Sequence, residues 1–302
     1  MIYDLIIVGA GPAGITAAIY AARKKMEFIL ISRDIGGQTA WSGDIENYTG
    51  YQFVTGPELV AKFEEHLRKF NISLKDNETV LDIAKTGNIM RVKTDKAEYQ
   101  SKTLIVASGK RSRELNVPGE KEFKNLGLSY CATCDGPLFK GKNVAVIGGG
   151  NSALDAGIQM VKIAATVNIV NISPELTGDP VMIDTLKVSR NVVIHNGSVV
   201  KRITGEKFVK AIEIDRQGEL IKLDVSGIFV EIGLIPNSDF VSLVRRNDFH
   251  EVIVDAHNNT SVEGIFSAGD VTNVPEKQII IAAGEGSKAL LSAFRYLVSH
   301  KF

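Results

Sequence analysis

The sequence predicts an α/β protein built from two nucleotide-binding-type modules, the second inserted in the first. Two segments repeat one pattern, DLIIVGAGPAGITAAIYAA from Asp4 and NVAVIGGGNSALDAGIQMV from Asn143. Each is an apolar run, a glycine turn and an Ala-rich helical stretch. Composition agrees: 44% hydrophobic residues with 7% aromatics and 28 glycines suits aliphatic strands joined by tight turns. The 302 residues suffice for two cores, since a domain of ordinary size takes about 150. Thirty-five basic residues balance thirty-five acidic ones, which argues against a nucleic-acid or membrane-surface partner. Met1 runs straight into a strand-like segment without a basic leader, and no apolar run approaches the roughly 20 residues of a membrane span. The expectation is a cytoplasmic protein.

In the first module Gly9 lets the chain turn, Gly11 lets the backbone approach a pyrophosphate, and Gly14 permits close packing of helix on strand. Phosphates would sit on the unpaired N–H groups of the helix that Pro12 and Ala13 begin. Gly148, Gly150 and Ala153 repeat the pattern, with Asn151 and Ser152 opening the second helix. After the first helix, MEFILIS reads as a strand ending at Ser32, followed by the loop DIGGQTAW. KTLIVASG is a strand finishing in a turn at Gly109, and VNIVNIS and DVSGIFVEIG are strands of the second module. GIFSAGDVT returns to the strand–turn pattern, and the segment from Lys277 reads as a helix with Ala, Leu and Phe at 3–4 spacing. That tail has no sheet of its own, so it completes the first domain. The expected division is 1–115 with 247–302, and 116–246 inserted, with linkers at Val117-Pro118-Gly119 and Arg245-Arg246-Asn247.

Only two cysteines occur, Cys131 and Cys134. All five histidines lie far from them in sequence, so a zinc site lacks its ligands. A C-x-x-C in such a protein reads as a redox dithiol. Two cysteines buried as small hydrophobes remain the alternative.

Taken in order, VGAGPAG, GGQ, IENY, the ASG turn, CATCDGPLFKGK, VIGGGNSA, FSAGDVT and KQIIIAAGEGSKA resemble the low-molecular-weight thioredoxin reductases. The chain is more similar still to the C-terminal reductase part of the alkyl hydroperoxide reductase flavoprotein. The resemblance covers essentially the whole chain. It implies two Rossmann-like, three-layer ββα domains, FAD as cofactor, and a homodimer. It places the FAD pyrophosphate on the first glycine turn, with Ser32 and Gly109 at the neighbouring strand ends. Gly36, Gly37, Gln38 and Asn47 line the adenosine and flavin, Asp270 holds the ribityl or pyrophosphate end, and Lys277, Gln278 and Ile279 cover the isoalloxazine. It further implies that Cys134 exchanges electrons with the flavin, Cys131 attacks a partner disulfide, and Asp135 passes the proton. Thiolate is the attacking species, so a proton carrier beside the pair is chemically needed. Asp-Gly is equally a turn signal, and Asp135 can be both. The resemblance also implies that rotation of the inserted domain exposes the dithiol to a thioredoxin- or glutaredoxin-like protein.

The sequence departs from the family at the electron donor. A 2′-phosphate calls for arginines just past the second strand of the inserted module, where the chain reads Asn171-Ile172-Ser173-Pro174-Glu175. Relatives that use NADH would carry an acid at Asn171, and an amide stands there instead. NADH is favoured, followed by NADPH and by a non-pyridine donor such as ferredoxin or a deazaflavin. The chain starts at the FAD strand, which suggests a separate carrier protein. The reductase component of a peroxidase system and a flavin redox sensor without turnover are the competing readings.

Overall fold

The computed structural model describes every residue except Gly43, Glu46 and Lys301, and the backbone alone at Trp41, Asp44 and Cys134. The chain divides into two units, Met1–Arg111 with Ile235–Phe302, and Ser112–Leu234. Both passages lie upstream of those expected from the sequence, for packing reasons. Pro118 accepts a hydrogen bond from Ile203 N–H at 2.9 Å, and a Cβ on Gly119 would lie 2.2 Å from Ile203 O, so this Pro-Gly pair is built into the inserted unit. On the return, Val241 and Val244 are buried in the first unit's core, and Asn237 N–H donates to Gly109 O at 2.9 Å. The outgoing segment Lys110–Ser112 and the returning segment Leu234–Pro236 pair as a two-stranded ribbon.

In the first unit β1 (Ile2–Ala10), α1 (Pro12–Arg23) and β2 (Phe28–Ile35) form the first strand–turn–helix–strand. β1 pairs in parallel with β2 on one side and with the strand Glu98–Val106 on the other. Glu98–Val106 in turn pairs antiparallel with Ile89–Thr94 and parallel with Ile265–Ser267, so the tail completes the sheet. Burial on both faces explains why these strands are continuous apolar runs. Leu5 and Ile7 meet a layer made by α1 and the helix Ile279–Ser299, whereas Ile6 and Val8 meet Ile83, Met90 and Val92 of the antiparallel hairpin. This gives three layers, ββα. The helix α2 (Gly56–Arg68) begins with a capping box, in which Thr55 and Glu58 satisfy each other's backbone N–H. β2 continues to Ile35, beyond the end expected at Ser32, because Ala10 pairs with Ile35 after a bulge.

The inserted unit repeats the plan. A five-stranded parallel sheet runs in the order Leu128–Ser129, Gly227–Val230, Asn143–Ile147, Thr166–Val170, Val192–His195. The helices Asn151–Val161 and Pro180–Val188 cover one face through Leu154, Met160 and Leu186. An antiparallel meander, Ser198–Gly205, Val209–Arg216 and Glu219–Asp224, covers the other through Ile203, Ile212 and Ile214. Among the described residues no helix is long and apolar enough to cross a membrane.

Candidate functional site

In the first unit the glycine turn after β1 is fixed by steric necessity. Gly9 has φ +104°, and a Cβ there would lie 2.3 Å from Ala107 O; a Cβ on Gly14 would lie 1.7 Å from Gly9 O. Gly11 differs, since a Cβ on it would meet nothing within 4 Å. Gly11 is also the N-cap of α1, Pro12 follows it, and no side chain caps the helix. Two glycines are therefore required by the fold, and the third leaves open space in front of uncapped N–H groups, which suits a phosphate. Gly36, at φ +90°, donates to Ala10 O at 2.7 Å, and a Cβ on Gly37 would be 3.5 Å from Gly11 Cα, so the second glycine pair borders the same space.

Several other expected residues pack close to this turn or to one another. Ala13 is buried; built Cβ atoms on Gly269 and Gly286 would fall 3.0 Å from its Cβ and 2.0 Å from its carbonyl oxygen. Asp270, next to Gly269, is half-buried and accepts no hydrogen bond from any described residue. Burial pushes its carboxyl up, against the charges of Lys277 and Lys110. A half-buried carboxylate that no protein group satisfies is free to accept from a ligand. Ser32 is engaged within the protein, accepting from Ala10 N–H at 3.0 Å and donating to Asp34 O at 2.6 Å. Gln38 donates to Lys110 O at 2.8 Å, and Asn47 donates to Gln278 Oε1 at 3.0 Å. Gln278 and Ile279 open the helix Ile279–Ser299, and Gly109 turns at φ +63°. Lys277 pairs with Glu251 at 3.1 Å, and Glu251 with Lys110 at 2.9 Å, in a mostly buried triad of 23, 13 and 12% side-chain exposure. Burial, then the charge of Lys110, lower the Lys277 ammonium despite the pairing with Glu251. Sequence reasoning missed Lys110 and Glu251, because they lie 141 positions apart.

In the inserted unit Cys131 is disulfide-bonded. Its N–H donates to Ser129 Oγ at 3.0 Å, and its carbonyl accepts from Asp135 N–H at 3.2 Å, which closes the turn of the short helix Ala132–Asp135. The Cys134 side chain lies outside the described residues. Thr133 donates to Gln159 at 2.9 Å and Gln159 to Asp155 at 2.8 Å, tying the dithiol turn to the helix Asn151–Val161.

The same unit holds a cavity of about 600 Å³. Its floor is the second glycine turn, and Asn151, Ser152, Asn171 and Glu231 contribute to its wall. A Cβ on Gly148, at φ +139°, would lie 2.2 Å from Glu231 O, whereas one on Gly150 would meet nothing. Ala153 is fully buried beneath the turn. Asn151 Oδ1 accepts from Asp179 N–H at 2.7 Å. Asn171 is only 3% exposed, and its amide donates to Ser173 O, Glu175 O and Asn196 Oδ1 while accepting from Ser173 N–H. Asn171, expected as a ribose ligand, lines the cavity while its amide braces the loop 173–175. It also explains Gly149, where a Cβ would lie 2.3 Å from Asn171 Oδ1. Sequence reasoning places Glu231 only within a strand; the signal available is an acid directly after the buried run Gly227–Val230.

Residues 3–286 match the family of pyridine nucleotide-disulphide oxidoreductases. The chain belongs to this family. FAD is its cofactor, and the open Gly11 turn and the unpartnered Asp270 fit it. The chain is 42% identical over 299 residues to a protein named NADH dehydrogenase from Ferdinandcohnia aciditolerans, covering 98% of this chain and 58% of the relative. It is 41% identical over 307 residues to an alkyl hydroperoxide reductase subunit of Escherichia coli, covering 99% and 59%. It thus spans a little under three fifths of these curated relatives. The solved thioredoxin reductase of Lactococcus lactis superposes with a TM-score of 0.88 at 33% identity, covering 99% of this chain and all of that one.

Proposed function

We propose that this family member is a disulfide reductase that carries electrons from NADH through FAD and the Cys131–Cys134 pair to a thioredoxin- or glutaredoxin-like protein. The observation that carries this reading is the disulfide-bonded Cys131, directly before a one-turn helix on the unit that also holds the dinucleotide-type cavity. Bound FAD supplies the two-electron relay between a hydride donor and a disulfide.

The chain's own residues do the rest. Gly9, Gly11 and Gly14 seat the pyrophosphate, with Pro12 and Ala13 opening the helix behind it and Asp270 accepting from a diol. Gly148, Gly150 and Ala153, with Asn151 and Ser152, seat the pyridine nucleotide. Cys131 attacks the partner's disulfide as thiolate, forming a mixed disulfide that Cys134 resolves, and Asp135 protonates the departing thiolate. NADH is favoured over NADPH because the loop Asn171–Glu175 offers no arginine to a 2′-phosphate. A relative that is named an NADH dehydrogenase supports the same choice.

Anaerobic titration with NADH, NADPH and reduced ferredoxin, read as flavin bleaching, tests the donor. NADH should bleach at the lowest concentration, and bleaching by ferredoxin alone would replace the donor assignment. In the same assay Cys131→Ser should keep flavin reduction and lose carrier reduction. Carrier turnover surviving that change would reverse the roles given to the two cysteines.

A further inference from the structure

Glu231 stands where the cavity wall meets the dithiol turn. Its carbonyl lies where a Cβ on Gly148 of the glycine turn would fall, and Glu231 is one of the residues that line the cavity. The carboxyl faces the Ala132 N–H, one residue from Cys131. Resting on the reading of this cavity as a pyridine-nucleotide site, we propose that Glu231 is its charge gate. The cavity takes an anionic dinucleotide while this carboxyl carries its proton, and weakens its hold once the proton has left.

The argument is electrostatic. A pyrophosphate brings two negative charges onto the glycine turn, and like charges in a half-buried wall are screened far less than in water. Among the described lining residues Glu231 is the one acid and Arg113 the one cation. The helix Asn151–Val161 brings Asp155 toward Glu231, and the short helix brings the Ala132 N–H. Burial, then the charge of Asp155, push the Glu231 carboxyl up to about 7, against the Ala132 N–H. The gate therefore titrates near neutrality. Binding above that point draws a proton from solvent onto Glu231, by the linkage that binding to the protonated form requires.

The test uses the purified flavoprotein with NAD⁺ and with ADP-ribose, neither of which titrates between pH 6 and pH 8. Calorimetry at both pH values, in two buffers of different ionisation heat, reads affinity and proton uptake together. Wild type should lose about tenfold in affinity from pH 6 to pH 8, and should take up a fraction of one proton on binding. Glu231→Gln, which keeps an acceptor for Ala132, should bind at both pH values as wild type does at pH 6 and take up none. Equal pH slopes in the two proteins, or a flat wild type that still binds, would overturn the gate and leave the nucleotide site standing. Absence of binding by both probes to both proteins would overturn the nucleotide reading and the gate with it.

Discussion

At the residue scale the glycine turns separate what the fold needs from what the ligand needs. Gly14→Ala forces a methyl group onto the Gly9 carbonyl, so it should destabilise the protein by at least about 1–3 kcal/mol, as overpacking does. Gly11→Ala meets no protein atom, so the apoprotein's Tm should hold or rise while the 450 nm flavin absorbance per chain falls. The two variants together show whether Gly11 is there for the cofactor. Glu251 is a second case. Burial pushes its carboxyl up, but hydrogen bonds from Asn247, Lys110 and Lys277 outweigh this and hold it below the usual range. A depressed carboxyl contributes stability that is complete above its unfolded pKa of about 4.3 and is lost as pH falls through the folded value. Glu251→Gln strands two lysines in a mostly buried site and should cost about 3–5 kcal/mol in urea unfolding at pH 7, with a shallower acid limb than wild type. The glycines were legible in sequence because their spacing is local. The ion triad was not, because Lys110 and Glu251 meet only once the sheet has formed.

At the scale of elements, the helix Ile279–Ser299 reaches α1 by bringing Gly286 against Ala13. The built Cβ meets backbone there, so Gly286→Ala must push the two helices apart and with them the site around Ala13. Lower Tm and released flavin are the expected pair of readouts. Thr55→Ala removes the cap of α2 and should cost about 1 kcal/mol with flavin retained, which makes it the control for instability alone. The long helix was readable from its 3–4 spacing, as were the parallel strands from their apolar runs. The antiparallel layers were harder. Glu219–Asp224 alternates exposed and half-buried residues, and its polar face carries none of the run-length signal that marks a buried strand.

At the scale of the whole molecule, each unit has its own core on both faces of its own sheet. The fragment 112–234 should therefore fold alone, with a single cooperative thermal transition; a molten fragment lacking near-ultraviolet dichroism would show that it depends on the rest of the chain. Sequence reading found the insertion because the tail had no sheet of its own. It placed the return passage too late, because the charged run Arg245-Arg246-Asn247 resembles a linker while Val241 and Val244 just before it are core.

The ribbon of Lys110–Ser112 and Leu234–Pro236 bears on the order in which the protein acquires its shape. Ile265–Ser267 cannot dock on Glu98–Val106 until a loop that includes about 120 inserted residues has closed. If the insert folds first, its two ends arrive side by side, and the same closure spans only the ribbon and the short stretch between it and Ile265. By loop-closure arithmetic, shortening the loop from about 160 to about 35 residues spares roughly 1 kcal/mol of chain entropy at the moment of docking. Pulse-labelled hydrogen exchange during refolding should accordingly protect Val144–Ile147 before Ile265–Ser267. The late strand of the first domain would owe its speed to a neighbour it was not built from.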